Sequence, residues 1–107
     1  MQIDMPLEFR KACRNLGQDL ASKARAMSEA EANALLVQTA MIGIDRTEAK
    51  AIREFIEEFL NSGLTPNQMV EFWRKTPAEI YFYDGGQVEG FLKLLSAGLA
   101  QAPFREV

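Results

Sequence analysis

Histidine does not occur in this chain of 107 residues. The side chain most often used to move protons near neutral pH, and the commonest nitrogen ligand for metals, is therefore missing. Cysteine is nearly absent. Cys13 stands alone, which excludes an internal disulfide and leaves a cysteine nucleophile without its usual base. No apolar run reaches the roughly 18 residues that suggest a membrane span. The stretch Met-Gln-Ile-Asp-Met-Pro has no basic region followed by an apolar one, so a secretory leader is not expected. Excess positive charge is lacking too. The net charge is −3, and the overall field disfavours nucleic-acid phosphates. Together these absences lead us to expect a cytoplasmic protein that is not an enzyme, with no cofactor, no metal and no place in a membrane.

The remaining chemical candidates each have a plainer reading. Glu54, Glu57 and Glu58 sit close in sequence. Metal sites in helical bundles, however, add Glu-x-x-His pairs or carboxylates from other helices, so a solvated acidic face is expected. Asp84-Gly85-Gly86 lacks the Gly-Lys-Ser/Thr ending of a phosphate loop and reads as a turn. Cys13 falls on an apolar stripe and reads as a small buried hydrophobe.

What is present is helical patterning in a chain the size of one domain. Phe9, Cys13, Leu16, Leu20, Ala24 and Met27 recur at steps of three and four, which predicts one helix over 6–26. Lys11, Arg14, Gln18, Ser22 and Arg25 line its other side, a basic stripe that reads first as a solvated face. Ser28 with Glu31 opens a second helix over 29–42. Leu35, Leu36, Val37, Ala40, Met41 and Ile42 make it apolar nearly all round, so it should be the most buried element. Gly43 supplies its left-handed stop. Asp45 with Glu48 caps a third helix over 46–61, which buries Ala49, Ile52, Phe55, Ile56, Phe59 and Leu60. A last helix over 87–97 buries Val88, Phe91, Leu92, Leu95 and Leu99, and residues 100–107 read as a loose tail. The sum is an all-α single domain over 1–107, a compact bundle of five to six helices with short connections.

The stretch from Leu64 to Gly86 organises the rest. It holds the only Trp and both Tyr. It also writes one signal twice: Thr65-Pro66-Asn67-Gln68 and Thr76-Pro77-Ala78-Glu79. Each has a Thr to accept from a free helical N–H, a Pro suited to the first helical position, and a Gln or Glu to reach back. Two short helices over 66–74 and 77–83 follow from this, meeting at a corner. Ile80-Tyr81-Phe82-Tyr83 keeps a strand as its alternative, because these residues have strong strand propensity. In a helix, four consecutive bulky residues would sweep the whole circumference. They cannot all face one core, and Tyr81 or Tyr83 should reach the surface. Exposed aromatics flanked by charge make binding hot spots. Trp73, Arg74, Lys75, Tyr81, Tyr83 and Asp84 are therefore the expected protein-binding residues.

Phe72-Trp73-Arg74-Lys75-Thr76-Pro77-Ala78-Glu79-Ile80 resembles a segment of small tail assembly chaperones from long-tailed phages and related gene-transfer particles. That segment runs Phe-Trp, two residues, Thr-Pro, any residue, Glu, then Leu or Ile. A Leu-Ser/Thr-Pro often precedes it, as Leu64-Thr65-Pro66 does here. The resemblance implies a protein that coats a tape-measure protein before tail assembly, without catalysis or cofactor. The expected function is accordingly to mask a partner protein's surface. A small acidic immunity or anti-defence inhibitor of a toxin or nuclease is the alternative of the same size, charge and helical make-up. A helical DNA-binding regulator is a third. Its helix-turn-helix would be built from the third and fourth helices, where Glu54, Glu57 and Glu58 would meet phosphates.

Overall fold

The computed structural model describes residues 4–101 and is all helical apart from its connections. Among the described residues there are six helices: α1 Leu7–Arg14, α2 Gln18–Arg25, α3 Glu29–Ala40, α4 Arg46–Leu60, α5 Pro66–Arg74 and α6 Gly85–Gln101. They form the compact helical bundle expected from the periodicity. Helix α6 is its centre and packs on α3, α4 and α5, while α1 lies on α3 and α4, and α2 lies on α3. No helix among the described residues is long and apolar enough to cross a membrane.

The helix starts follow the capping chemistry. Asp45 accepts from the Glu48 N–H, and the Glu48 carboxylate accepts from the Asp45 N–H. Thr65 and Gln68 make the same reciprocal pair, with Pro66 at the first helical position. Ser28 accepts from the Glu31 N–H. Gly43 and Gly63 both stand at φ +75°, the left-handed conformation that ends a helix at little cost to glycine.

The end of α3 depends on α1. The last carbonyls of a helix need donors, and α3 has no basic residue in its final turn. Asn15 Nδ2 donates to the carbonyls of Ala40 and Ile42, at 3.0 and 2.9 Å. One turn earlier on α1, Lys11 Nζ donates to the Gly43 carbonyl at 2.7 Å and to both oxygens of Glu48. Lys11 thus ties three elements together and does not belong to a free basic stripe.

Several boundaries differ from the sequence reading. The first helix does not run unbroken over 6–26. It stops at Asn15, and α2 restarts after Gly17, whose backbone is extended. A mid-helix glycine costs about 1 kcal/mol relative to alanine, and the groups freed by the break find partners on Glu79. The Leu16 carbonyl accepts from the Glu79 N–H at 2.8 Å. The Gln18 N–H donates to Glu79 Oε2 at 3.2 Å. The expectation that residues 29–42 form the most buried element also fails. Only Leu36 and Ala40 of α3 are buried, and Ile42 is exposed. Helix α6 holds that place instead, with Val88, Phe91, Leu92, Leu95 and Leu99 all inside. It starts two residues before the expected 87 and runs through Ala100 and Gln101. The tail expected beyond them, 102–107, lies outside the described residues.

Helix α6 can begin early because Gly85 carries no side chain. A Cβ there would collide with the backbone of Pro66 and lie 2.7 Å from its carbonyl oxygen. Gly90, in the same helix, has open space around it. Gly85→Ala should therefore destabilise the fold by roughly 1–3 kcal/mol, although alanine is the better helix former. Gly90→Ala should stabilise it by about 0.5–1 kcal/mol. Urea unfolding of both variants checks the pair of opposite signs.

Candidate protein-binding surface

Helix α5 sets two neighbouring rings into two different aromatic clusters. Phe72 joins Phe9, Phe55 and Phe59, with ring centroids 4.6 Å apart for Phe59–Phe72 and 6.1 Å for Phe9–Phe72. Trp73 joins Phe82 and Phe91 at 4.8 and 5.5 Å. Trp73 is 1% exposed. A buried indole N–H needs an acceptor, and Nε1 donates to the Ile80 carbonyl at 3.0 Å. That bond ties residues 76–84, a non-helical strap between α5 and α6, back onto the indole.

The second Thr-Pro-x-Glu signal builds this strap, not a helix over 77–83. Thr76 is buried, and its hydroxyl donates to the Trp73 carbonyl at 2.7 Å. Its oxygen also lies 3.4 Å from the Ala78 N–H. The Glu79 N–H, which a helix would point at Thr76, is taken by the Leu16 carbonyl, and its carboxylate by Gln18. Both arms of the box are thus spent on the α1–α2 junction. The strand alternative fails as well, since residues 80–82 have no ladder partner. What remains of it is the extended alternation of side chains: Ile80 is buried, Tyr81 is 67% exposed, Phe82 is half-buried against the core, and Tyr83 is 84% exposed.

The far end of the strap is tied to α6 by a pattern missed in the sequence. Asp84 Oδ1 accepts from the Gln87 N–H, and Gln87 Oε1 accepts from the Tyr83 N–H, both at 2.9 Å. Asp-x-x-Gln has the residue types of the boxes that open α4 and α5, but here the Gln87 side chain reaches one residue further back. The two glycines inside it made it read as a turn.

Four of the six residues expected to bind protein stand in solvent. Tyr81, Tyr83, Arg74 and Lys75 are exposed, and no ion pair of Arg74 or Lys75 occurs among the described residues. Trp73 is too deeply buried to touch a partner and acts as the post that holds the strap. Asp84 is exposed, but its carboxylate is occupied in capping α6.

Cys13 is buried, and burial pushes its thiol up to about 12, with a hydrogen bond to Thr76 opposing the shift. It is a structural thiol without thiolate character. No known family pattern, curated protein or solved structure shows a significant match to this chain.

The raised Cys13 value has a measurable consequence. The unfolded chain releases this proton near pH 9 and the folded chain only near 12. The contribution to stability is complete below pH 9 and is lost as pH rises toward 12, by at most about 1.4 kcal/mol per pH unit. Stability-against-pH curves should therefore fall more steeply above pH 9 for the native chain than for Cys13→Ala.

Proposed function

We propose that this chain is a non-enzymatic protein-binding module that masks a partner protein's surface, with Tyr81 and Tyr83 as its anchors. One observation carries the reading: two tyrosines stand out from a strap whose backbone is fastened at Ile80, Glu79 and Tyr83. Large aromatic side chains left in water gain most when a partner covers them. A strap already ordered also spares the partner the entropic cost of ordering it.

The more specific form is a chaperone-like assembly factor of a phage or mobile element. Its support is the resemblance of Phe72 to Ile80 to tail assembly chaperones. Those are the residues that build the post and the strap, so the resembling segment and the exposed tyrosines belong to one device. On this reading the protein acts in the cytoplasm and needs neither cofactor nor metal.

The test is capture of partners from the native host by the full chain and by a Tyr81→Ala/Tyr83→Ala variant. A partner retained by the native chain and lost by the variant is expected, with the melting temperature of the variant within a few degrees of native. A long helical protein as that partner supports the assembly-chaperone form, and a toxin or nuclease supports the inhibitor form. Equal capture of every partner by both chains overturns the tyrosine surface.

A further inference from the structure

We infer that α2 is a hinged flap on α3, latched by the Glu79 carboxylate, and that it opens as a unit while the rest of the bundle stays folded. Helices α1 and α2 have 8 residues each but are held very differently. Helix α1 buries Phe9, Ala12 and Cys13, and Lys11 and Asn15 tie it to the end of α3 and the start of α4. Helix α2 buries only Leu20, the only helix it packs on is α3, and it has no side-chain cap of its own. Among the described residues, its one hydrogen bond to a distant part of the chain runs from the Gln18 N–H to Glu79 Oε2. None of Asp19, Lys23 and Arg25 forms an ion pair there. Such a helix falls short of the roughly 12–15 residues that an isolated helix needs in water, so α2 keeps its form only while docked.

The latch has two arms of different chemistry. The Glu79 main-chain N–H donates to the Leu16 carbonyl, just after α1, at 2.8 Å. The Glu79 side chain accepts from the Gln18 N–H, the first of α2, at 3.2 Å. Between them stands Gly17, extended and with open space where a Cβ would be, so the chain can swivel there without a clash. Residues 26–28 connect the other end of α2 to α3. The carboxylate arm therefore restrains the first turn of α2, where it also faces the partial positive charge of the helix start. The strap keeps its other anchors when this arm is cut. Ile80 stays bonded to Trp73, Thr76 to the Trp73 carbonyl, and Tyr83 to Gln87. Opening of α2 thus leaves the tyrosines in place and uncovers Leu20 and the flank of α3 beneath it.

Native-state amide hydrogen exchange of the full chain at low urea tests this. Glu79→Ala removes the carboxylate arm and keeps the main-chain arm, and Glu79→Gln keeps an acceptor without the charge. In the native chain the amides of Ser22, Lys23, Ala24 and Arg25 are expected to exchange through an opening with a smaller urea dependence than those of α4 and α6. Relative to α4 and α6, they should exchange roughly tenfold faster in Glu79→Ala and by a smaller factor in Glu79→Gln. The Trp73 indole proton should keep pace with α4 and α6 in every chain. Exchange of α2 only together with α4 and α6, at the same urea dependence, overturns the flap. An equal change in all three helices of Glu79→Ala, or none, overturns the latch. An indole proton that follows α2 shows strap and helix opening together, and also overturns the inference. Should Glu79→Ala not fold, the native urea dependence and Glu79→Gln decide by the same outcomes.

Discussion

A single buried donor constrains this end of the molecule. The Trp73 indole N–H lies inside the bundle, where an unmade hydrogen bond costs about 1–3 kcal/mol, and its acceptor is the Ile80 carbonyl. Ile80 lies seven residues further along the chain, so the intervening backbone must fold back over the ring. That return path accounts for the burial of Thr76, for the tilted contact of Phe82 with Trp73, and for the exposure of the alternate residues Tyr81 and Tyr83. The outward tyrosines are a by-product of satisfying one inward nitrogen.

The same return path repairs a break elsewhere. Between α1 and α2 the chain leaves helical geometry at Gly17, and α2 begins without a side-chain cap of its own. Glu79 supplies both missing partners, its N–H to the Leu16 carbonyl and its carboxylate to the Gln18 N–H. Strap and break therefore depend on each other, although 61 residues separate them in sequence. At the C-terminal end of α3, Lys11 and Asn15 do similar work for the carbonyls of Ala40, Ile42 and Gly43. In each case a polar side chain distant in sequence completes a helix terminus. No buried side-chain nitrogen or oxygen among the described residues is left without a partner.

The fold was readable wherever the deciding interactions are local. Capping pairs such as Asp45 with Glu48 and Thr65 with Gln68 act within one turn, so residue types at fixed spacing identify them. The apolar faces of α4 and α6 were legible for the same reason. Thr76-Pro77-Ala78-Glu79 has equally good local credentials and forms no helix, because Leu16 and Gln18 compete for Glu79 and win. That competition is tertiary and leaves no mark on the segment itself. The break at Gly17 was hidden likewise, since the stripe from Phe9 to Leu20 continues across it. Exposure of Tyr81 or Tyr83 was foreseen from crowding on a helix, yet extended alternation is what produces it. Asp84 with Gln87 was legible in principle, had the glycines between them not suggested a turn.

The account stands or falls on whether the strap is locked in solution. Because the chain has one tryptophan, its indole proton gives a single, unambiguous NMR signal, and its exchange with deuterated solvent reports directly on the bond to Ile80. The account predicts exchange only through global unfolding, with a protection free energy that matches the urea-derived stability of the whole domain. Exchange well ahead of the core amides of α4 and α6 would show a strap that opens on its own, and would contradict a pre-ordered aromatic surface.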